Sequence, residues 1–354
     1  MVSKTAVFVA LAVIASAMLL PGMDADVSDS EVFTYYAQLD VNGKLVYKEV
    51  NAATSVESET KEFIIDFNDS SLFDDTDGAK AYADKTVREA LTALYLSNPM
   101  VPYVWDYPVA ETTVDAEIIL VTVKHGEVET TYYAVDNVKF SLKVPEGITS
   151  DSMKELNDAL KNFPVSGSTD ADKVKSIMSE LDKVYFEKDE EGMISNIYSA
   201  LVLKQTTSAG VAQAFTVLCK MNNIPAVTVS GSDLLATNET FSYWNYVYLE
   251  GDIDGETAKA WYIVDPTYAV STGIAGYLTE VSYDGKTYSM SSAHNEDLDI
   301  TGEVSLKTPQ LAKNKYVPVG GIPFFEVYGE AILIVAIGVV MIGSMFYAMR
   351  KGII

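Results

Sequence analysis

Few side chains in this chain could act as nucleophiles, bases or soft metal ligands. It contains a single cysteine, Cys219, and two histidines, His125 and His294. One cysteine excludes an intramolecular disulfide and every zinc site built on several thiolates, and two histidines leave little material for a histidine-rich metal site. The acidic turn at 252–256 resembles the start of a calcium loop, but Gly255 and a missing terminal Glu break its spacing. We expect no metal and no other cofactor.

The one thiol lies on the apolar side of a predicted helix. Cys219 shares a stripe with Val211, Phe215 and Leu218 in a helix predicted over 211–221. A cysteine on such a stripe is most often a small buried apolar residue. We therefore expect Cys219 to be buried and inert.

Hydrophobic periodicity divides the region around these residues into an N-terminal part, 32–165, and a second part, 166–308. A run of apolar residues at helical spacing predicts a long helix in the first part, and period-two alternation after it predicts an antiparallel β-meander. The predicted elements are a strand-like piece over 31–39, helices over 45–55, 78–96 and 151–162, and strands over 116–123, 130–135 and 138–144.

The second part has a mixed pattern of helices and strands. A Ser/Gly-rich turn with Thr169 or Asp170 as a helix cap separates it from the first part. Its predicted elements are helices over 170–184 and 211–221, followed by strands over 226–230, 243–250 and 259–264. The chain beyond Pro266 is predicted to be loop and short strand, with His294 in a polar loop. These patterns indicate an α+β fold.

The charge balance narrows the choice of partners. Lys and Arg number 25 against 50 Asp and Glu, so the formal net charge is −25. Such a chain repels phosphate backbones and offers no basic patch for nucleic acid. We interpret the acidity as surface solvation.

Both ends of the chain carry apolar segments. Residues 1–24 have the pattern of a secretory signal peptide, with an uncleaved N-terminal anchor as the alternative. Residues 331–349 carry no charged residue and are long enough to cross a bilayer as a helix. The stretch 309–330 is predicted to be a stalk, and Arg350 and Lys351 begin a short tail, 350–354, that the positive-inside bias places in the cytoplasm. The expected topology is a single-pass type I protein of the cell membrane with an extracytoplasmic ectodomain.

The second part closely resembles the transglutaminase-like superfamily, which has a papain-like core. Five separated pieces occur in the order and at the spacing of that family: 198–201 (Tyr-Ser-Ala-Leu), 210–215 (Gly-Val-Ala-Gln-Ala-Phe), 224–226 (Ile-Pro-Ala), 244–247 (Trp-Asn-Tyr-Val) and 261–267 (Trp-Tyr-Ile-Val-Asp-Pro-Thr). The resemblance spans about 170–268. It implies a core with an antiparallel sheet and a nucleophile-bearing helix, and the segment 32–165 is similar to the region that precedes this core in secreted microbial members.

The resemblance also implies a degenerate catalytic triad. In the family a Cys at the N-terminus of the helix is the nucleophile, a His on the next strand is its base, and an Asp before Pro-Thr orients the His. The corresponding positions here are assigned to Ala212, Ser242 and Asp265. No His lies between residues 212 and 265, so a Cys/His/Asp device in this chain order is absent. Ser242 as an alcohol nucleophile would need a base and an oxyanion hole that the sequence does not identify.

The residues around the degenerate triad define candidate binding positions. These are Gln213, Tyr243 and Trp244, although Trp244 and Trp261 alternate with apolar strand residues, as core tryptophans do. Without a His partner, Asp265 is expected to accept hydrogen bonds from Tyr243, Ser242 or main-chain amides.

The sequence thus predicts a membrane-anchored transglutaminase-like protein without catalytic activity. Its old active-site cleft, between the helix and the strand 243–247, would bind a cell-surface protein, a peptide or an envelope polymer. One alternative is an active acyl-transfer enzyme, a protease or transamidase, with displaced catalytic residues. A structural envelope component is the other.

Overall fold

The computed structural model describes residues 33–68, 71–107, 112–125, 127–186, 195–233, 241–253, 255–267, 280–283, 286–289, 294–298, 304–313 and 316–319. These residues belong to two compact units. One is drawn from Met1–Leu249 and Trp261–Leu311, and the other from Glu250–Ala260 and Ala312–Ile354. The predicted signal peptide (1–24), transmembrane segment (331–349) and tail (350–354) lie outside the described residues.

An antiparallel three-stranded sheet forms the β-rich section of the first part. Its strands are β1 (Thr60–Asp66), β2 (Asp115–His125) and β3 (Val128–Lys143), in the spatial order β1-β3-β2. The prediction of a sequential meander is wrong. The two strands expected over 130–144 form one continuous strand, β3, and the third strand, β1, comes from upstream. Phe63 and Phe140 stack across the β1–β3 pair with ring centroids 5.4 Å apart, and this contact fixes the apolar face of the sheet.

Four helices accompany this sheet. They are α1 (Tyr35–Gln38), α2 (Val41–Asn51), α3 (Thr76–Ser97) and α4 (Ser150–Lys161). The long helix α3 confirms the prediction over 78–96 and contacts α2, β2 and β3. The strand-like piece predicted at 31–39 is instead the short helix α1, because the Thr34 hydroxyl caps it by accepting a hydrogen bond from the Ala37 main-chain N–H at 3.2 Å.

The second part opens with a capped helix, as predicted. Thr169 is the N-cap of α5 (Asp170–Leu181), and the Thr169 and Asp172 side chains form a reciprocal capping box. The next helix is α6 (Ser208–Met221), which starts three residues before the predicted position at Val211. A π-helical turn at Ser199–Leu203 and the short parallel pair of β4 (Tyr185–Phe186) and β5 (Gln205–Thr206) lead into it.

A four-stranded sheet lies against α6. Its strands are β6 (Ala226–Asp233), β7 (Phe241–Ile253), β8 (Glu256–Val264) and β11 (His294–Glu296), in the order β11-β6-β7-β8. The short strands β9 (Glu280–Tyr283) and β10 (Lys286–Ser289) pair with each other. The loop expected between β7 and β8 is shorter than predicted, and the Asp252 carboxylate accepts a hydrogen bond from the Gly255 N–H at 2.7 Å in this turn.

The helix–sheet core is built mainly from large aromatic and aliphatic side chains. The largest fully buried ones include Trp244, Tyr35, Tyr103, Tyr246 and Phe215. Among the described residues, no helix is both long enough and apolar enough to cross a bilayer.

Candidate functional site

Helix α6 presents its N-terminus to the start of strand β7. Ser208 is the first residue of the helix, and its hydroxyl accepts a hydrogen bond from the Tyr243 main-chain N–H at 3.3 Å. Gly210 allows this entry, because a Cβ there would lie 2.5 Å from the Asn196 carbonyl oxygen and 2.1 Å from the Thr206 hydroxyl. Any side chain at position 210 would push the helix away from the segment that precedes it.

The structure places Ala212 inside the helix and not at its N-terminus. It is the fifth residue of α6 and is fully buried. Its carbonyl oxygen accepts hydrogen bonds from Asn245 Nδ2 at 2.9 Å and from Thr228 Oγ1 at 3.4 Å. The predicted helix start at 211 placed Ala212 where the macrodipole would act on a nucleophile, and that boundary is wrong. The residue that occupies the helix N-terminus is Ser208.

The predicted cleft between α6 and β7 is closed at this point. Asn245 joins the helix to the strand through Ala212, and its Nδ2 also lies 2.9 Å from Thr216 Oγ1. Side chains of α6 and β7 therefore pack directly at Ala212. The accessible part of the junction lies at its end, where Ser242 and Tyr243 are both half-buried.

Asp265 is completely buried and holds a histidine that the sequence placed in a loop. Its Oδ2 lies 2.9 Å from His294 Nε2, and its Oδ1 accepts hydrogen bonds from the Thr267 main-chain N–H at 2.8 Å and from the Thr267 hydroxyl at 2.5 Å. The side chains of His294 and Asp265 are 1% and 0% exposed. The prediction that Asp265 accepts a hydrogen bond from a main-chain amide is confirmed. The prediction that His294 lies in a loop is wrong, because His294 lies in a strand.

His294 reaches Asp265 because its segment forms the edge strand β11. This strand runs antiparallel to β6, with Glu296 opposite Gly231. A Cβ at Gly231, where φ is +154°, would lie 2.1 Å from the Asn295 carbonyl oxygen, so only glycine admits β11 this closely. The His294 ring then lies 4.5 Å from the Trp244 ring, centroid to centroid. Sequence reasoning missed this pairing, and its one signal was that the chain has a single histidine after Asp265.

The three predicted binding residues have different surroundings. Gln213 and Trp244 are fully buried, and neither polar atom of the Gln213 amide has a hydrogen-bond partner among the described residues. Tyr243 is half-buried, and its ring lies edge-on to that of Tyr95 at 6.0 Å. Burial raises the pKa of Tyr243 to about 12, so its phenol stays protonated at neutral pH.

The only thiol of the chain lies away from the helix N-terminus. Cys219 is near the C-terminal end of α6 and is 0% exposed. Burial raises the pKa of its thiol well above the ordinary value. Both properties agree with the predicted inert cysteine.

Slow alkylation is the expected result for Cys219. Because a reagent reaches this thiol only after local opening, iodoacetamide should label the folded protein at least about 100-fold more slowly than the urea-unfolded protein, which corresponds to an opening cost of about 3 kcal/mol. Mass spectrometry of the Cys219 peptide over time measures both rates. Equal rates would show that the thiol is accessible and reactive in the folded state.

Comparison with known proteins agrees with this architecture. Residues 159–266 match the family model of the transglutaminase-like superfamily. This part of the chain is a transglutaminase-like core within a mixed α+β fold. No curated protein matches the chain.

Several solved structures match parts of the chain at low identity and low TM-score. A candidate cysteine protease from Cytophaga hutchinsonii is 16% identical over 58% of this chain and 83% of its own length, with a TM-score of 0.26. A TGase is 14% identical over 65% of this chain and 56% of its own, with a TM-score of 0.24. The periplasmic domain of TgpA from Pseudomonas aeruginosa bound to ethylmercury is 12% identical over 46% of this chain and 66% of its own, with a TM-score of 0.21. The family match, and not these overlaps, carries the assignment.

Proposed function

We propose that this protein is a catalytically inactive member of the transglutaminase-like superfamily that acts as a binding or scaffolding module at the cell surface. The observation that carries the proposal is the junction of α6 and β7, where Ser208 at the helix N-terminus faces the main chain beside Ser242. Neither position bears a thiol or an imidazole. The ligand would be a cell-surface protein, a peptide or an envelope polymer.

Within this proposal, Ser208 takes the position of the family's nucleophile, in place of Ala212. A thiolate needs the partial positive charge of the helix N-terminus, which falls off within the first turn. Ala212 lies beyond that turn and its carbonyl is bonded to Asn245, whereas Ser208 is the first helical residue. With this change, the three positions of the degenerate triad are Ser208, Ser242 and Asp265.

The environment of Ser208 supports the proposal that its hydroxyl is not an active nucleophile. A serine hydroxyl becomes a nucleophile when a neighbouring base accepts its proton. The Ser208 oxygen accepts a hydrogen bond from a main-chain N–H, and its neighbour Ser242 cannot act as a base near neutral pH. No described group is bonded to Ser208 as a proton acceptor.

One observation favours the alternative of a displaced enzyme. The His294–Asp265 pair has the imidazole–carboxylate contact that orients the base in many hydrolases. Its side chains are nearly inaccessible, however, and the imidazole nitrogen Nε2 already faces the carboxylate. We assign the pair a structural role and keep the enzyme as the second candidate.

An activity assay separates the two candidates. The purified full-length protein in detergent should neither incorporate a fluorescent primary amine into a glutamine-containing peptide nor hydrolyse casein above the background of a Ser208→Ala variant. Turnover that disappears in both Ser208→Ala and His294→Gln would overturn the inactive assignment in favour of a serine-based acyl transferase.

The proposed location is the cell membrane, with the ectodomain outside and the segment 331–349 as anchor. Its support is the uncharged run of residues that matches the thickness of the hydrocarbon core. Deleting residues 331–354 should release the protein into the medium, whereas the full-length chain should stay in the membrane pellet after alkaline carbonate extraction. Retention of the truncated chain in that pellet would instead indicate that the N-terminal segment anchors it.

A further inference from the structure

A second candidate site lies on the N-terminal part, away from the degenerate triad. A cavity of about 320 Å³ adjoins strand β3 where β2 begins. Its size is at the lower end of the range of ligand pockets, about 300–1,000 Å³, and suits a segment of one or two residues. The residues that line it include Tyr103, Asp106, Tyr107, Thr112, Ser141 and Lys143.

One wall of the cavity is an open strand edge. Strand β2 begins at Asp115, opposite Lys139, whereas β1 continues along the other side of β3 until Thr60 pairs with Lys143. Among the described residues, therefore, β3 has a neighbouring strand on one side only beyond Lys139. The segment 140–143 forms this open edge.

The direction of the main-chain groups follows from antiparallel pairing. The Val144 N–H donates to the Glu59 carbonyl at 2.9 Å, so the main-chain N–H and C=O groups of Val144 point towards the β1 side of β3. Main-chain groups alternate in direction along a strand. Those of Ser141 and Lys143 consequently point to the opposite side, where the cavity lies. They offer N–H and C=O groups that an added strand could pair with.

The cavity also holds a carboxylate without a compensating partner. Asp106 is half-buried, and among the described residues no hydrogen bond or ion pair of its carboxylate is found. Burial leaves the charged form poorly solvated and thereby raises the pKa of its carboxyl. Two lysines of β3 line the cavity: Lys139 is engaged 2.9 Å from Glu62, and Lys143 forms no ion pair with Asp106 among the described residues. A cationic ligand group would relieve this cost for Asp106.

We propose that this cavity binds an extended peptide segment that pairs with the open edge at Ser141 and Lys143 and places a Lys or Arg side chain against Asp106. Strand addition gives affinity through main-chain hydrogen bonds, while the pocket selects the side chain. A basic ligand also fits the net charge of −25 of the chain.

A series of aromatic contacts links the cavity to the degenerate site. The Tyr107 ring lies 6.3 Å from that of Tyr95, and the Tyr95 ring lies 6.0 Å from that of Tyr243, whose N–H is bonded to Ser208. The inference rests on the proposed binding function and deepens it by naming a ligand class and a site. None of its tests measures catalysis, so its failure is distinguishable from the appearance of activity in the amine-incorporation assay.

Matched peptides test both parts of the proposal by isothermal titration of the full-length protein in detergent. The probe is acetyl-Thr-Lys-Thr-amide. Replacing its Lys by norleucine should weaken binding about tenfold or more, because the charge-assisted contact is lost. Methylating the main-chain nitrogens should weaken binding by a similar factor, because the edge hydrogen bonds are lost. Equal affinity for the parent and either analogue would overturn the proposal, as would butylamine binding as tightly as the parent or no binding of the parent at millimolar concentration.

A protein variant locates the contact. Asp106→Asn should weaken binding of the Lys peptide about tenfold and leave binding of the norleucine peptide unchanged. Asp74→Asn, which alters an exposed carboxylate elsewhere, is the matched control and should leave both affinities unchanged. Equal effects of the two substitutions, or no effect of Asp106→Asn, would show that the carboxylate in the cavity does not recognise the cation.

Discussion

A chain carrying Ser208→Cys and Ser242→His should acquire a thiol with a pKa of about 7 or lower, against about 8.5 for a free cysteine. Residue 208 begins α6, so the helix N-terminus favours the thiolate there. An imidazole at 242 would stand beside it, because the Tyr243 N–H already contacts the side chain at 208. The substitutions would restore the thiol–imidazole pair that the proposed function takes to be lost.

Two further substitutions remove the groups that would interfere with this measurement. Cys219→Ala removes the native thiol, and His294→Gln frees the Asp265 Oδ2 that His294 now occupies at 2.9 Å. The matched control places the cysteine at Ala212 with the same His at 242. Ala212 is buried one turn into the helix, so its thiol should alkylate slowly and only at high pH.

The pH dependence of iodoacetamide alkylation measures both thiols. A low pKa at 208 together with an unreactive thiol at 212 would support the assignment of Ser208 as the nucleophile position. If instead the thiol at 208 titrates like a free cysteine, or the thiol at 212 has the lower pKa, the assignment of Ser208 is wrong. Activity is not needed for either outcome, because the readout is the thiolate fraction alone.

Local patterns in the sequence predict the capped and periodic helices well. Helix α3 carries a long apolar stripe and α5 a complete capping box, so both are predicted nearly to their ends. The same local patterns do not predict strand β1 or the continuity of β3, because the pairing of β1 with β3 joins residues far apart in sequence. The register of such strand pairs depends on tertiary packing, and a short stretch of sequence carries no information about it.

The same contrast between local and distant signals applies to the candidate site. Cys219 lies in a strong local pattern and is buried as expected, and Asp265 accepts a main-chain hydrogen bond as expected. Local periodicity does not predict the start of α6, because the residues from Ser208 to Gly210 show little of it. The close approach of Gly210 to the Asn196 carbonyl fixes the start instead. His294 could not be placed from its neighbours, since only the pairing of β11 with β6 brings it to Asp265.

The buried pair suggests why the core would retain the Asp if, as proposed, it has no working catalytic triad. A carboxylate at position 265 would be costly to bury alone, and His294 and Thr267 together satisfy both of its oxygens. In this interpretation His294 attaches β11 to the sheet and closes the space beside Trp244. Its partnership with Asp265 then contributes to stability, and the pair should be energetically coupled.

A double-mutant cycle on the pair should therefore show strong coupling. His294→Leu should lower the free energy of unfolding by about 3 kcal/mol, because it leaves the Asp265 carboxylate buried without its imidazole partner. The same substitution in an Asp265→Asn background should cost at least about 1 kcal/mol less, because the neutral amide demands no charged or strongly polar partner.

Urea unfolding of the four proteins, followed by far-UV circular dichroism, gives the coupling energy directly. Asp74→Asn, at an exposed site, serves as the control for a general effect of losing one carboxylate and should change stability by no more than about 0.5 kcal/mol. Additive costs within about 0.5 kcal/mol would contradict a structural partnership between His294 and Asp265. Additivity would then favour the alternative of an enzyme with displaced catalytic residues, because a buried imidazole–carboxylate pair that does not stabilise the fold would require a different role.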